Sequence, residues 1–275
     1  MFPLIIILAV IVLILVLLNL KQKLKVKRRN QIKQKPFPEK WKEFLNKNVE
    51  LYKILPKNLK DQLHDDIKIF LNEKTFEGCG GMEITDEVRV TIACEACMLL
   101  LNRKNNDFPN LNSIIVYPHP YVAKSYSHVG AGNYTVKPSA RAGESWTGGD
   151  VVLAWDYVKH NAMNGEDGEN VVLHEFAHQL DQEDGEADGV PILQDKSRYA
   201  KWGRVLGKEY TLLRDSVEHQ RKTVMDAYGA TNPAEFFAVA TETFFEKPKQ
   251  MKRNEPELYE ELKEYYRLDP ISWIK

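Results

Sequence analysis

The chain has 275 residues, 43% of them hydrophobic and 28% charged, with a formal net charge of -1. That balance excludes a charge-dominated disordered chain and leaves no bulk electrostatic footprint for direct binding of nucleic acid. Three cysteines, Cys79, Cys94 and Cys97, are too few for a disulfide framework in a chain of this length.

The first predicted element is an apolar run. From Phe2 to Leu18 no side chain is charged or polar. As a helix the run reaches roughly 26 Å, close to the hydrocarbon thickness of a bilayer. No basic residue precedes it and no A-x-A-like site follows it, which argues against a cleavable signal. One transmembrane helix over residues 1–20 is therefore expected. Lys21, Lys23, Lys25, Lys27, Arg28, Arg29, Lys33 and Lys35 all come before the first acid, Glu39. By the positive-inside rule the large domain then faces the cytoplasm, on a single-pass protein of the inner membrane. Residues 21–38 read as a basic juxtamembrane linker that can lie against anionic headgroups.

Residues 39–275 read as one globular domain. Leu59, Leu63, Ile67 and Phe70 have helical spacing. A helix starts at Thr85, with Asp86 and Glu87 in its first turn, and runs to about Leu101. Cys94 and Cys97 lie inside it as packing residues. "SIIVYP" from Ser113 and "DVVLAW" from Asp150 are strands by their β-branched content. The second is also expected to offer an edge to an extended peptide. "SHVGAGNY" and "RAGESWTGG" between them read as loops and hairpin edges. From Gly168 onward the pattern is chiefly helical, broken near "DGVP", "YGATNP" and "NEPEL". The fold class is α+β, with more helix than strand.

The stretch "NVVLHEFAHQLDQEDG" from Asn170 carries the chemistry. His174 and His178, four apart, share a helix face, so their imidazoles can close on one metal ion. Glu175 beside them can reach a water on that ion. Two ordinary surface histidines are the competing reading. The remaining histidines, His64, His119, His128, His160 and His219, have no metal spacing.

A catalytic zinc site needs a third protein ligand. Asp181 and Asp184 stand where a metzincin has glycine and histidine; Asp184 can ligate in principle, but without the glycine turn the helix carries it away, and a better candidate lies downstream. A second helix begins at Asn232 with Pro233 at its first position. Glu235, three residues after Asn232, is either a metal ligand or a capping-box glutamate. Glu242, one face-repeat further, is a rival ligand or an acid behind one.

"HEFAHQLD" followed by "YGATNPAEFFA" resembles the Mlc titration factor A peptidases and, more distantly, the catalytic domain of anthrax lethal factor. "FEGCGGMEITDEVRVTIACEACMLLL", "IIVYP", "GESWTGGDVVLAW" and "DGEADGVP" fit the same pattern, so the resemblance covers most of residues 75–270. It implies a mainly helical, zincin-like domain with a small mixed sheet, here preceded by the N-terminal transmembrane helix. It implies a gluzincin site, with one Zn2+ held by His174, His178 and Glu235. Glu175 would be the general base, and Tyr228 the tyrosine that faces the reacting oxygen. Asp181 would orient an imidazole or merely solvate a helix end. The implied function is a membrane-anchored cytoplasmic zinc peptidase acting on a peptide or protein, aminopeptidase activity being one form of it. The alternative is a regulatory binding protein that sequesters a transcriptional repressor. The anchor departs from the soluble family pattern and puts that repressor partner in doubt.

Overall fold

The computed structural model describes residues 2–103, 107–128, 134–146 and 148–274. The chain begins with four helices, α1 (Phe2–Lys33), α2 (Glu39–Asn48), α3 (Glu50–Ile54) and α4 (Lys57–Glu73). Strand β1 (Thr75–Gly78), helix α5 (Asp86–Met98) and strand β2 (Ser113–Tyr117) follow. Next come β3 (Tyr121–His128), β4 (Tyr134–Arg141), β5 (Gly143–Trp146) and β6 (Asp150–Ala154). The rest is helical: α6 (Trp155–Met163), α7 (Val171–Asp181), α8 (Tyr199–Glu218), α9 (Pro233–Glu246), α10 (Pro248–Asn254) and α11 (Pro256–Tyr266). The architecture is a mostly helical α+β fold with a small mixed sheet, as its sequence pattern implies.

The sheet has the order β1-β2-β6-β5, parallel through β1, β2 and β6 and antiparallel at β5. Strand β6 is therefore enclosed on both sides, which corrects the expectation that "DVVLAW" forms an edge. Its residues Val151 to Ala154 are all buried, as befits a two-sided strand. The edge is β5, whose Gly143 to Trp146 pair only with Leu153 to Asp150. β3 and β4 form a separate antiparallel pair. The "VGAGN" part of the glycine-rich stretch, residues 129–133, lies outside the described residues.

Three helices carry the core beneath this sheet. α5 has no polar face and is buried from Val90 to Met98, packed between α4 and α7. Thr85 caps it by accepting from the Val88 amide. Cys94 and Cys97 are free and buried within it, consistent with a packing role. α9 is buried from Phe236 to Glu246, its glutamates Glu235, Glu242 and Glu246 set among apolar residues. α7 turns Phe176 away from its histidines into an aromatic cluster. Its ring lies 4.9 Å from Phe108 and 5.9 Å from Phe70, contacts worth about 0.5–1.5 kcal/mol each beyond area burial.

The expected transmembrane helix is overturned. Among the described residues no helix is long and apolar enough to cross a membrane. The apolar run is not an element of its own: the helix that holds it continues without a break through Lys21–Lys33, 32 residues in all. A span needs about 20 consecutive apolar residues, and the charged half of α1 cannot supply them. The single-pass location in the inner membrane, with its positive-inside orientation, rested on that span and falls with it. The charged half instead docks on the rest of the chain. Arg29 makes a two-pronged pair with Glu73 at 2.7 and 2.6 Å and reaches Asp107 at 2.8 Å. Lys68 donates to the carbonyls of Lys33 and Lys35, satisfying the end of the helix.

Candidate metal centre

Helix α7 starts where Asn170 accepts the Leu173 amide at 3.0 Å, which fixes the turn that carries His174. Helix α9 starts where Asn232 accepts the Glu235 amide at 2.9 Å, with Pro233 at the first position. Half of the expected capping box is thus present. The Glu235 side chain leaves the other half unmade and turns to the histidines. Its Oε2 lies 3.0 Å from His174 Nε2 and 3.2 Å from His178 Nε2, and the two nitrogens are 3.2 Å apart.

These three atoms form a group that could hold a metal ion. Ligand atoms about 2.0–2.1 Å from a tetrahedral ion are separated by about 3.3 Å, so the observed triangle fits one small first-row cation. Two imidazoles in the set disfavour Ca2+ or Mg2+, which take oxygen ligands.

The surroundings prepare the donors. His174 Nδ1 donates to Glu242 Oε1 at 2.7 Å, which turns Nε2 toward Glu235 and His178. Glu242 is the acid behind the ligand and not a member of the triangle. Burial pulls the His174 imidazole down, but the Glu242 and Glu235 carboxylates outweigh it and hold it well above its ordinary range. Burial likewise pushes Glu235 up, yet the two imidazoles bring its carboxyl down to about 2. It is therefore an anion throughout the neutral range. Glu175 is buried and takes no part in the triangle; desolvation raises it to about 7 against the pull of the histidines.

Tyr228 is 54% exposed at the rim, its ring centroid 6.0 Å from that of His174. Asp181 does not orient an imidazole through a direct bond: its Oδ2 accepts the Gly189 amide at 3.0 Å and ties down the loop after α7. Asp184 accepts the Glu186 amide and lies outside the group. His119 pairs with Asp156 on the surface and does not line the cleft.

The cleft over the triangle has a volume of about 950 Å3. One wall is edge strand β5, with Gly143, Glu144 and Ser145; another is the segment from Asp226 to Glu235. Ser145 accepts from Gln179 at 2.7 Å, which fastens β5 to α7. A Cβ on Gly143 would come within 2.5 Å of Glu175 Oε1 and 2.7 Å of Val171 Cγ2. Glycine is needed there for close approach, a role that its place in an ordinary-looking "RAGESW" does not announce. Sequence reasoning also missed Asn170, Glu95 and Glu246 behind the site; a lone glutamate inside the apolar stretch "IACEACMLLL" was the available signal.

Comparison with known proteins points to a metallopeptidase family. The model of the glucose-regulated metallo-peptidase M90 family matches residues 23–267, and the chain belongs to that family. An uncharacterized protein of Synechocystis is 38% identical over 272 residues, covering 98% of this chain and 99% of its own. Mlc titration factor A of Serratia proteamaculans is 30% identical over 208 residues, 74% of this chain and 78% of the relative. Mlc titration factor A of Yersinia pestis is 27% identical over 238 residues, 86% of each.

Proposed function

From membership of a metallopeptidase family we propose that this chain is a zinc-dependent peptidase, with His174, His178 and Glu235 as ligands of one Zn2+. The observation that carries the reading is the triangle of donor atoms with edges of 3.0–3.2 Å beside a buried, separate carboxyl, Glu175. Bound Zn2+ would act as a Lewis acid toward a peptide carbonyl and acidify a water in the cleft.

The protein's own groups do the rest. Glu175 takes one proton of the attacking water and passes it to the departing amine as the C–N bond breaks; the water's second proton stays on the new carboxyl group, which then releases it. Tyr228, at the rim, donates its hydroxyl proton as a hydrogen bond to the oxyanion that develops on the carbonyl oxygen. The free side of β5 pairs with an extended peptide and holds it across the triangle. Glu242 keeps the His174 proton on Nδ1 throughout. The test is bound metal and peptide hydrolysis by the full chain compared with Glu175→Gln. The variant is expected to keep its metal and lose turnover; equal turnover in both refutes the mechanism.

A second reading rests on the names of relatives, which call them titration factors of Mlc. In it the chain binds a transcriptional repressor, with hydrolysis secondary. Retention of repressor binding by Glu175→Gln and by His178→Ala would favour this reading.

A further inference from the structure

We propose that Asn170 is the positioning residue of this centre: its side-chain amide, braced against Glu95 and Glu246, fixes the main-chain N–H that sets the Glu242 carboxylate, which in turn holds the His174 ring. The proposal rests on the metallopeptidase reading and adds the residue through which two neighbouring helices set its geometry.

Asn170 is 1% exposed, and all its polar atoms are engaged. Oδ1 accepts the Leu173 amide at 3.0 Å, and its carbonyl accepts the His174 amide at 2.9 Å. Its own amide donates to Glu242 Oε2 at 2.5 Å. Nδ2 donates to Glu95 Oε1 at 2.7 Å and to Glu246 Oε1 at 3.0 Å. Glu246 Oε2 then takes the Gly168 amide at 3.0 Å.

Glu242 and Glu246 are one turn apart on α9, so they face the entry of α7 together. The segment from Gly168 to Asn170 is thereby joined to α9 at three points and to α5 at one. His174 lies one turn further along α7, and its Nδ1 bonds to the other oxygen of Glu242. Rotation or sliding of α7 against α9 would break the Asn170 and His174 bonds to Glu242 together. Both N–H groups of the amide are required, because Glu95 and Glu246 approach it from different helices.

This role differs from helix capping. Serine caps a helix about as well as asparagine, yet it has no NH2 group to offer two carboxyls. If Asn170 only caps, Asn170→Ser is neutral at the centre. If it braces Glu242, the variant loosens the His174 ring, and loss of such supporting bonds typically weakens metal binding ten- to a hundredfold.

The experiment titrates the full chain with Zn2+ alone, in competition with a chelator, and follows the ring 15N shifts of His174. Asn170→Ser is expected to lose about tenfold or more in Zn2+ affinity with its helical circular dichroism kept, and its Nδ1–H signature is expected to weaken. Affinity within about twofold of the parent overturns the proposal. Should that variant not fold, Glu246→Ala leaves the cap and the Glu95 bond in place. Several-fold weaker binding is expected there, and affinity equal to the parent again overturns it. If the parent binds Zn2+ no better than His178→Ala, the metal reading itself fails. If only His178→Ala weakens binding, the failure is confined to Asn170.

Discussion

Gly143→Ala tests how the edge strand and the general base are fitted together. The added Cβ would sit 2.5 Å from Glu175 Oε1 and 2.7 Å from both Glu175 Cγ and Val171 Cγ2, where ordinary contact begins at 3.4 Å. Something must give by about 0.7–0.9 Å. Val171 belongs to the first turn of α7, where a β-branched side chain has one strongly preferred rotamer and yields only at a cost. Either the Glu175 carboxyl is displaced or β5, paired on one side only, lifts away. A misplacement of about 1 Å at a reacting group costs on the order of a hundredfold in rate, or about 2.7 kcal/mol. The two responses separate kinetically. A displaced Glu175 lowers kcat with KM kept, whereas a lifted β5 raises KM because the peptide loses its pairing strand. The assay is cleavage of a fluorogenic peptide library together with metal content, which should match the parent because none of the three donors is touched. Full kcat/KM in Gly143→Ala would refute both the assignment of Glu175 and the fit of β5 over it.

The other predictions concern the supports. Glu242→Gln has one acceptor oxygen where His174 Nδ1 and the Asn170 amide each require one, so Zn2+ affinity should fall about ten- to a hundredfold; unchanged affinity would exclude Glu242 from orienting the ring. For Glu73 burial alone would raise the carboxyl, but Arg29 outweighs it; for Asp107 burial is likewise outweighed, by Lys25 and Arg29, so both are held low. Depressed carboxylates contribute stability above their unfolded pKa that is lost as pH falls through the folded one. Arg29→Ala should therefore cost on the order of 1 kcal/mol at pH 7 and flatten the loss below about pH 4, read by urea unfolding. Glu95 is raised by burial to about 8, despite the Asn170 bond that favours its anion. A raised acid has the opposite sign: stability present at low pH is lost as pH rises toward 8. Glu95→Gln keeps the acceptor for Asn170 and removes the ionisation, so its stability should exceed that of the parent increasingly as pH rises from the ordinary carboxylate range to about 8, and level off above. Parallel pH profiles would refute this.

Local chemistry made much of the site readable. Thr85 and Asn232 cap the helices expected to start at them, and the His-Glu-x-x-His pattern alone puts two imidazoles on one face. What failed was non-local. Strand order is not written in "DVVLAW", and β5, a four-residue "GESW" without β-branched residues, gives no local sign that it covers β6. β1 is not among the expected strands, because its four residues become a strand only through parallel pairing with β2. The reading of α1 failed for a related reason. An apolar run was judged by its own length, while the pairing of Arg29 with Glu73 and Asp107, 44 and 78 residues away, joins its basic continuation to the domain.

Glu235 shows how the two kinds of information meet. At the third position of α9 its amide is one of the orphan donors of the helix, and Asn232 satisfies it. In an isolated helix the side chain would fold back to the Asn232 amide, completing the capping box. Here the backbone half of the box is kept and the side chain is redirected, because the imidazoles of α7 approach within 3.2 Å. The helix start fixes the backbone of Glu235 to within a turn, and the positive end of α9 favours its anion. The packing of α7 on α9 then decides what that anion meets. One residue type at one spacing is compatible with a cap or a ligand, and the choice belongs to the neighbouring helix. That is why a carboxylate 57 residues beyond His178 in sequence can stand 3.2 Å from its Nε2.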